Sequence, residues 1–420
     1  MKYTSQRGTK DILPSETPVW QRIEASCRRI FGLYNYAEIR TPVFEQTELF
    51  SRSIGTDTDI VSKEMYTFED RGGRSLTLRP EETAPVVRAC LQHNLISPEN
   101  ITKLWYMGPM FRYERPQAGR YRQFHQAGVE AFGSTDPMLD VEVIDMAVQL
   151  FREIGLTDLE VDINSVGCKK CRPEFIKKLT KYFTDKTSDL CDDCKKRLVK
   201  NPLRVLDCKI QGCQSIIKAA PAPVDSLCRE CEEHFENVVA CMDEQKIKYK
   251  INNRLVRGLD YYTGTTFEVV SDKLGAQNAV CGGGRYDDLV KELGGKPVPA
   301  VGFAIGLERL VGIIGSDVQS PKSDVVDVYL IAIGEKAKNI AFDLASGIRK
   351  AGFSADMDFH GKKLKSQLKL ADRIGARFVL ILGEDELNKG KIVFRDMSEG
   401  KQEEIKCDAA TIVEVLEKNK

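Results

Sequence analysis

Apolar residues recur at three- and four-residue intervals from Glu16 to Phe31, the period of a helix with one buried face. Tyr36 to Phe44 then reads as a strand ending at a proline, Pro42. Ser75-Leu76-Thr77-Leu78-Arg79 alternates as a strand does, and Pro80 to Pro85 turns into a helix from Val86 to Leu91. Leu104 to Arg115 predicts a strand, Pro116-Gln117-Ala118-Gly119-Arg120 a polar loop, and Tyr121 to Phe132 the returning strand. The result is a long hairpin with a basic, glycine-containing tip. Leu255 to Glu268 reads as a bent strand pair with Thr263-Gly264 as its turn signal.

Between Asp162 and Ile251 the pattern gives way to a Lys-rich, Cys-rich helical block, placed as an insertion at residues 165–250, and the sheet resumes at Asn252. Gly315 to Asp324 has the composition of a linker. Beyond it come a buried strand at Val326–Ile333, a helix at Lys336–Lys350 stopped by Gly352, and a short strand at Phe353–Phe359. A helix at Lys362–Ile374 and a strand at Arg377–Leu382 follow. That alternation predicts a small α/β domain with a largely parallel sheet. The chain is therefore expected to be α+β, with a first domain over 1–320 interrupted by the insertion and a second over 325–420.

A length of 420 residues suits two or three domains. With 42% hydrophobic and 30% charged residues the composition is that of a soluble globular protein. The N-terminus lacks the apolar core of a signal peptide and no 18 apolar residues run together, which predicts a cytoplasmic protein without membrane contact. Basic and acidic residues balance at 62 each, so any nucleic-acid contact rests on local patches. From Cys168 to Lys218 there are 14 Lys and Arg against 6 Asp and Glu, a surface for RNA or simply a solvated helical face.

No Gly-x-x-x-x-Gly-Lys-Ser/Thr loop is present, so phosphates would have to be held by arginines, whose planar forks pair with phosphate oxygens. Leu255-Val256-Arg257-Gly258-Leu259-Asp260-Tyr261-Tyr262 sets a cation, a carboxylate and two phenols close together. Thirteen cysteines in a reducing compartment argue for free thiols or metal. Nine lie between 168 and 241. Cys168-x2-Cys171 with Cys191-x2-Cys194 have the spacing of a structural zinc site, and Cys208-x4-Cys213 with Cys228-x2-Cys231 could form a second.

The segment Arg257 to Glu268, together with Phe111-Arg112-Tyr113-Glu114 and Gly306-Leu307-Glu308-Arg309 in that order around it, resembles the histidyl-tRNA synthetase family over almost the whole chain. The resemblance implies a class II antiparallel sheet flanked by helices, and a C-terminal anticodon-binding domain like those of the synthetases for histidine, glycine, proline and threonine. It further implies a homodimer formed through the Tyr36–Phe44 segment. The substrates would be histidine, ATP with Mg2+, and histidine tRNA; the family does not in general need zinc and relatives lack many of these cysteines, so structural Zn2+ rests on the cysteine spacing alone.

By the same resemblance Arg112 holds the α-phosphate of ATP, Arg309 the γ-phosphate, Phe124 lies against adenine and Glu114 reads its amino group. Arg257 acts as an electrostatic catalyst at the α-phosphate. Glu130 and Tyr262 read the imidazole; Glu81, Thr83 and Gln126 hold the amino and carboxylate end; Tyr261 and a loop at Gly282–Asp287 complete the pocket, although those glycines also suit a plain tight turn. Glu82 stands where relatives often carry glycine. Arg115, Gln117, Arg120 and Arg122 at the hairpin tip would meet the acceptor end of the tRNA. The competing reading is a paralogue that serves as regulatory subunit of ATP phosphoribosyltransferase, which loses some motifs and lacks the C-terminal domain. This chain retains both.

Overall fold

The computed structural model describes residues 3–55, 58–97, 99–117, 119–271, 279–314 and 326–419, and the expected linker at 315–324 lies outside them. The chain forms two compact units, Met1–Gln319 and Ser320–Lys420.

The first unit contains strands β1 (Ala37–Glu38), β2 (Phe44–Gln46), β3 (Tyr66–Glu69), β4 (Ser75–Leu78), β5 (Thr102–Phe111), β6 (Gln123–Phe132), β7 (Glu160–Ser165), β8 (Tyr249–Ile251), β9 (Thr263–Val270), β10 (Ala279–Arg285) and β11 (Ala300–Gly306). Eight of them form one sheet in the order β1-β5-β6-β11-β10-β9-β7-β8. Its six central strands run antiparallel, and the outer pairs β1/β5 and β7/β8 are parallel. The long hairpin pairs Thr102 with Phe132 through to Phe111 with Gln123, so alternation along both strands divides core from cleft.

On one face Trp105, Ala127, Val129, Val301, Phe303 and Phe267 pack against helices Thr17–Leu33 and Pro137–Glu153. The second helix starts cleanly: Asp136 accepts from the Met138 amide and Pro137 sits where a missing N–H costs nothing. On the opposite face the same strands present Tyr106, Gln126 and Glu130; Gly302 of β11 makes room for the Glu130 carboxylate, while Ala304 and Gly306 line the cleft.

Three local expectations change. The Tyr36–Phe44 segment is not one strand but two short ones in different sheets, β1 beside β5 and β2 beside β4. Pro42 has no N–H to continue a ladder, and the Arg79 guanidinium donates to the carbonyl of Thr41 at 3.0 Å. Leu255–Tyr262 is an irregular segment rather than half of a hairpin, and Thr263-Gly264 opens β9 instead of turning. Gly282–Arg285 is central strand, not a loop.

The insertion leaves from β7 and returns at β8 through helices Arg172–Thr184, Asp192–Lys200, Gln211–Lys218 and Arg229–Glu244. The first three surround a small core with Phe175, Leu179, Phe183 and Val205. The last delivers Phe235, Val238 and Met242 into the main core.

The second unit has strands β12 (Val328–Ala332), β13 (Ala355–Met357), β14 (Phe378–Leu382), β15 (Lys391–Asp396) and β16 (Gln402–Lys406) in the order β13-β12-β14-β15-β16. The first three are parallel, but β15 and β16 are antiparallel, so the sheet is mixed. The six-residue helix Glu384–Lys389 ends at Gly390 with φ of 64°, which turns the chain straight back. Gln402–Lys406 is too charged to announce a strand by hydropathy.

Candidate active site

Above the polar face of the large sheet lies a cleft of about 650 Å³ lined by residues of β5, β6, β9, β10, β11 and the insertion. Six arginines line it: Arg112, Arg120, Arg257, Arg309 and, from the insertion, Arg197 and Arg204. Arg112 leaves the end of β5, its Nε donates to the Pro80 carbonyl at 2.8 Å, and its guanidinium covers the Phe124 ring at 5.2 Å. Glu114 bridges it to Arg120, at 4.0 and 3.3 Å. Arg309 stands on the helix Leu307–Ile314. That helix is tied to β6 by Glu308, which accepts from the His125 amide at 2.9 Å. Burial, followed by the charge of nearby Arg120, lowers the proton affinity of Arg309. Cations held together in this way leave room for a polyanion between them.

Arg257 pairs with Glu268 and lies 5.9 Å over the Tyr262 ring. Its guanidinium occupies the space beside Gly282, where a Cβ would come within 2.2 Å of Nη2. The glycines of β10 are therefore required for close packing: at Gly283 a Cβ would meet the Gly302 carbonyl at 2.3 Å, and at Gly284 the Thr265 carbonyl at 2.5 Å. The segment carrying Arg257 is held from outside by the insertion. Arg204 donates to the Gly258 carbonyl at 2.8 Å and Asn201 to Asp260 at 2.8 Å, while Arg197 and Arg204 both reach Asp59.

Deeper in the cleft, Glu130 is 1% exposed and accepts from Thr83 Oγ1 at 2.7 Å and from the Tyr286 hydroxyl. Burial pushes its carboxyl up to about 8, against the opposing pull of the Tyr286 and Thr83 hydroxyls. Glu81 accepts the amides of Thr83 and Ala84 at 2.8 and 3.0 Å, capping the helix Thr83–Gln92, and burial raises it too. Tyr261 and Tyr262 close the other side, 4.8 Å between ring centroids. Two buried polar atoms here have no partner, Gln126 Oε1 and the Tyr106 hydroxyl. Buried polar groups are normally satisfied, so these two are able to pair with a polar ligand.

Glu82 does not enter the cleft. It turns away to pair with Arg79 at 2.8 Å and accept from Thr41 Oγ1 at 2.6 Å, both side chains buried, and burial pushes its carboxyl up to about 8 against the pull of Arg79. Arg285 is likewise committed elsewhere, to Asp140 at 2.7 Å. Of the four tip residues, Arg115, Gln117 and Arg120 are exposed. Arg120 folds back to Glu114, and Arg122 stacks on Tyr113 at 3.9 Å. The eight cysteines also group differently from the expected pairs: Cys168 and Cys171 meet Cys228 and Cys231, and Cys191 and Cys194 meet Cys208 and Cys213. Spacing identifies the pairs but cannot say which partner the folded helices bring to them. Each set could hold a metal ion.

Sequence reading missed Tyr106, Glu268 and the Arg79–Glu82 pair. Tyr106 was within reach, because it lies on the Gln126/Glu130 face by strand alternation. Glu268 was too, as a lone charge between Phe267 and Val269.

A sequence profile for histidyl-tRNA synthetase matches residues 8–310, and one for an anticodon-binding domain matches 327–419. The chain belongs to the histidyl-tRNA synthetase family. It is 52% identical over 419 residues to the histidine–tRNA ligase of Halothermothrix orenii, covering 100% of both chains. It is 52% identical over 406 residues to that of Syntrophotalea carbinolica, covering 96% of both. Among solved structures, the apo histidyl-tRNA synthetase of Staphylococcus aureus superposes with a TM-score of 0.81 at 38% identity over 99% of each chain. Membership makes the protein an aminoacyl-tRNA synthetase of the class II fold, whose reaction ligates histidine to its tRNA. No helix among the described residues is long and apolar enough to cross a membrane.

Proposed function

We propose that this cleft activates histidine with ATP, entering as its Mg2+ complex, and then passes the histidyl group to the 3′-terminal adenosine of histidine tRNA. In the first step the histidine carboxylate attacks the α-phosphorus, the bond to the β-phosphate oxygen breaks and pyrophosphate leaves. Such a displacement depends on alignment and charge neutralisation more than on a strong base. Arg112 and Arg257 meet the α-phosphate, Arg309 the γ-phosphate, and Phe124 backs the adenine whose amino group Glu114 accepts. Glu130 and Tyr262 pair with the imidazole nitrogens; Glu81, Thr83 and Gln126 hold the α-amino and carboxylate end, with Tyr261 and Tyr286 enclosing them. In the second step the ribose hydroxyl attacks the adenylate carbonyl and AMP leaves. Arg115, Gln117, Arg120 and Arg122 place the acceptor end. We place the working enzyme in the cytoplasm as a homodimer, with the Tyr36–Phe44 segment at the interface.

The observation that carries the imidazole assignment is the buried Glu130, fixed by Thr83 and Tyr286 on the strand face that also carries the unpartnered Gln126 Oε1. A site built on buried hydrogen bonds rejects amino acids that leave them unmade. The test is pyrophosphate exchange into ATP with each of the 20 amino acids and no tRNA. Exchange with histidine alone is expected. Folded protein that exchanges with none would favour the regulatory-subunit reading instead.

A further inference from the structure

The insertion is short of apolar residues, and thiols occupy part of its interior. Cys194, Cys208 and Cys213 are buried among Leu179, Leu198 and Ile217. Within each set of four cysteines all Sγ atoms lie within 4.8 Å of one another. In the outer set, Cys168 is 3.8 Å from both Cys171 and Cys228, and Cys171 is 3.9 Å from Cys231. In the inner set Cys191 is 3.9 Å from Cys208. A disulfide would bring two sulfurs to about 2.05 Å, and all thirteen cysteines are free thiols. Four thiolates around one zinc, at Zn–S distances of about 2.3 Å, stand about 3.8 Å apart along the edges of the tetrahedron.

Backbone amides point at these sulfurs as well. Cys168 N–H donates to Cys171 Sγ at 3.2 Å and Lys170 N–H to Cys168 Sγ at 3.3 Å. In the inner set Cys191 N–H reaches Cys213 Sγ at 3.3 Å and Cys194 N–H reaches Cys191 Sγ at 3.4 Å. Hydrogen bonds to sulfur favour the thiolate over the thiol and fix its direction, as the surroundings of metal ligands do. Neither set contains histidine or a carboxylate, and neither has a fifth group that would make an open coordination position.

We propose that the insertion holds two structural zinc ions in nested tetrathiolate sites, Cys168/Cys171/Cys228/Cys231 outside and Cys191/Cys194/Cys208/Cys213 inside. The outer site clips the strand that enters the insertion to the helix that leaves it. There the Cys171 sulfur sits 2.6 Å from where a Cβ on Gly167 would be, and neighbouring Arg172 donates to the Tyr262 carbonyl. The inner site braces the cleft mouth, since Cys191 and Cys208 line it and the Asn201–Arg204 turn between them grips Gly258 and Asp260. Both ions thus stabilise the wall that positions Arg257 and Tyr262, and neither touches substrate.

Elemental analysis of the full chain purified without chelator tests this independently of any catalytic reading. Two zinc per chain are expected, with at most the other five cysteines open to a thiol reagent until a strong chelator is added. Protein without zinc whose thiols all react freely, or iron in place of zinc, would overturn the proposal. Two double variants test the nesting. Cys171→Ser/Cys228→Ser should retain one zinc, and Cys171→Ser/Cys194→Ser should lose both; the opposite pattern would refute it. Should the variants fail to fold, cobalt(II)-exchanged wild-type protein still decides. Two equivalents with thiolate charge-transfer and tetrahedral d–d bands support the sites, and octahedral or absent spectra reject them.

Discussion

Replacing Glu130 by Gln should change how stability depends on pH by an amount the structure sets. The carboxyl is buried, and it ionises at about 8 in the folded chain against 4.5 for the ordinary group. Between those values the folded protein holds a proton that the unfolded chain has released, so stability falls as pH rises, by up to about 1.4 kcal/mol per pH unit. The neutral amide keeps the shape and carries no such penalty. From pH 5.5 to 7.5 the substrate-free variant should therefore gain about 2–3 kcal/mol relative to wild type, the integral of the two titrations over that window. Urea unfolding of both proteins at the two pH values measures it as a difference of differences, in which every titration the two share cancels. A relative gain below about 1 kcal/mol, or one of opposite sign, would mean that Glu130 is ionised in the fold. Burial would then not be what sets its protonation.

Three further outcomes follow from the packing. Arg257→Ala should slow single-turnover adenylate formation on the order of 100 to 1000-fold, the usual cost of one preorganised donor; a fall under tenfold would remove the assigned role. Gly282→Ala puts a methyl group where the Arg257 guanidinium lies, so adenylation should drop at least about tenfold while thermal stability changes little, because a flexible side-chain end can move aside. Unchanged kinetics would show that the contact does not set the arginine's position. Arg79→Met removes the partner of the buried Glu82, whose carboxyl is already raised by burial to about 8, so in urea unfolding it should cost about 3–5 kcal/mol at pH 9, where that carboxylate is ionised, and less at pH 6. Adding Glu82→Gln should recover part of it, and a single-variant loss under about 1 kcal/mol at pH 9 would place the pair in solvent.

The elements that hydropathy periodicity places well are those with one buried face, such as Thr17–Leu33 and the hairpin of β5 and β6. Strand alternation along that hairpin is also what puts Gln126 and Glu130 on the cleft side. Elements held by side chains are less legible. The Tyr36–Phe44 segment breaks because Arg79, far along the chain, takes a carbonyl that a strand would need. Gly282–Gly284 looks like a turn in isolation, and only the guanidinium, carbonyls and rings pressed against it reveal a strand. The cysteine pairs are visible in their spacing, whereas their partners depend on how four helices fold back. Glu82 shows the same limit: its neighbour Glu81 caps a helix inside the cleft, and one residue later the chain points out of it.

The two ends of the insertion lie on adjacent strands, with Val161 paired to Tyr249, so the block looks detachable. Its last helix says otherwise, because Phe235, Val238 and Met242 belong to the main core. Cutting at the strand ends would strip apolar cover from the catalytic sheet itself. Length variation among related chains should therefore concentrate in the first three helices, with the fourth inherited as part of the scaffold.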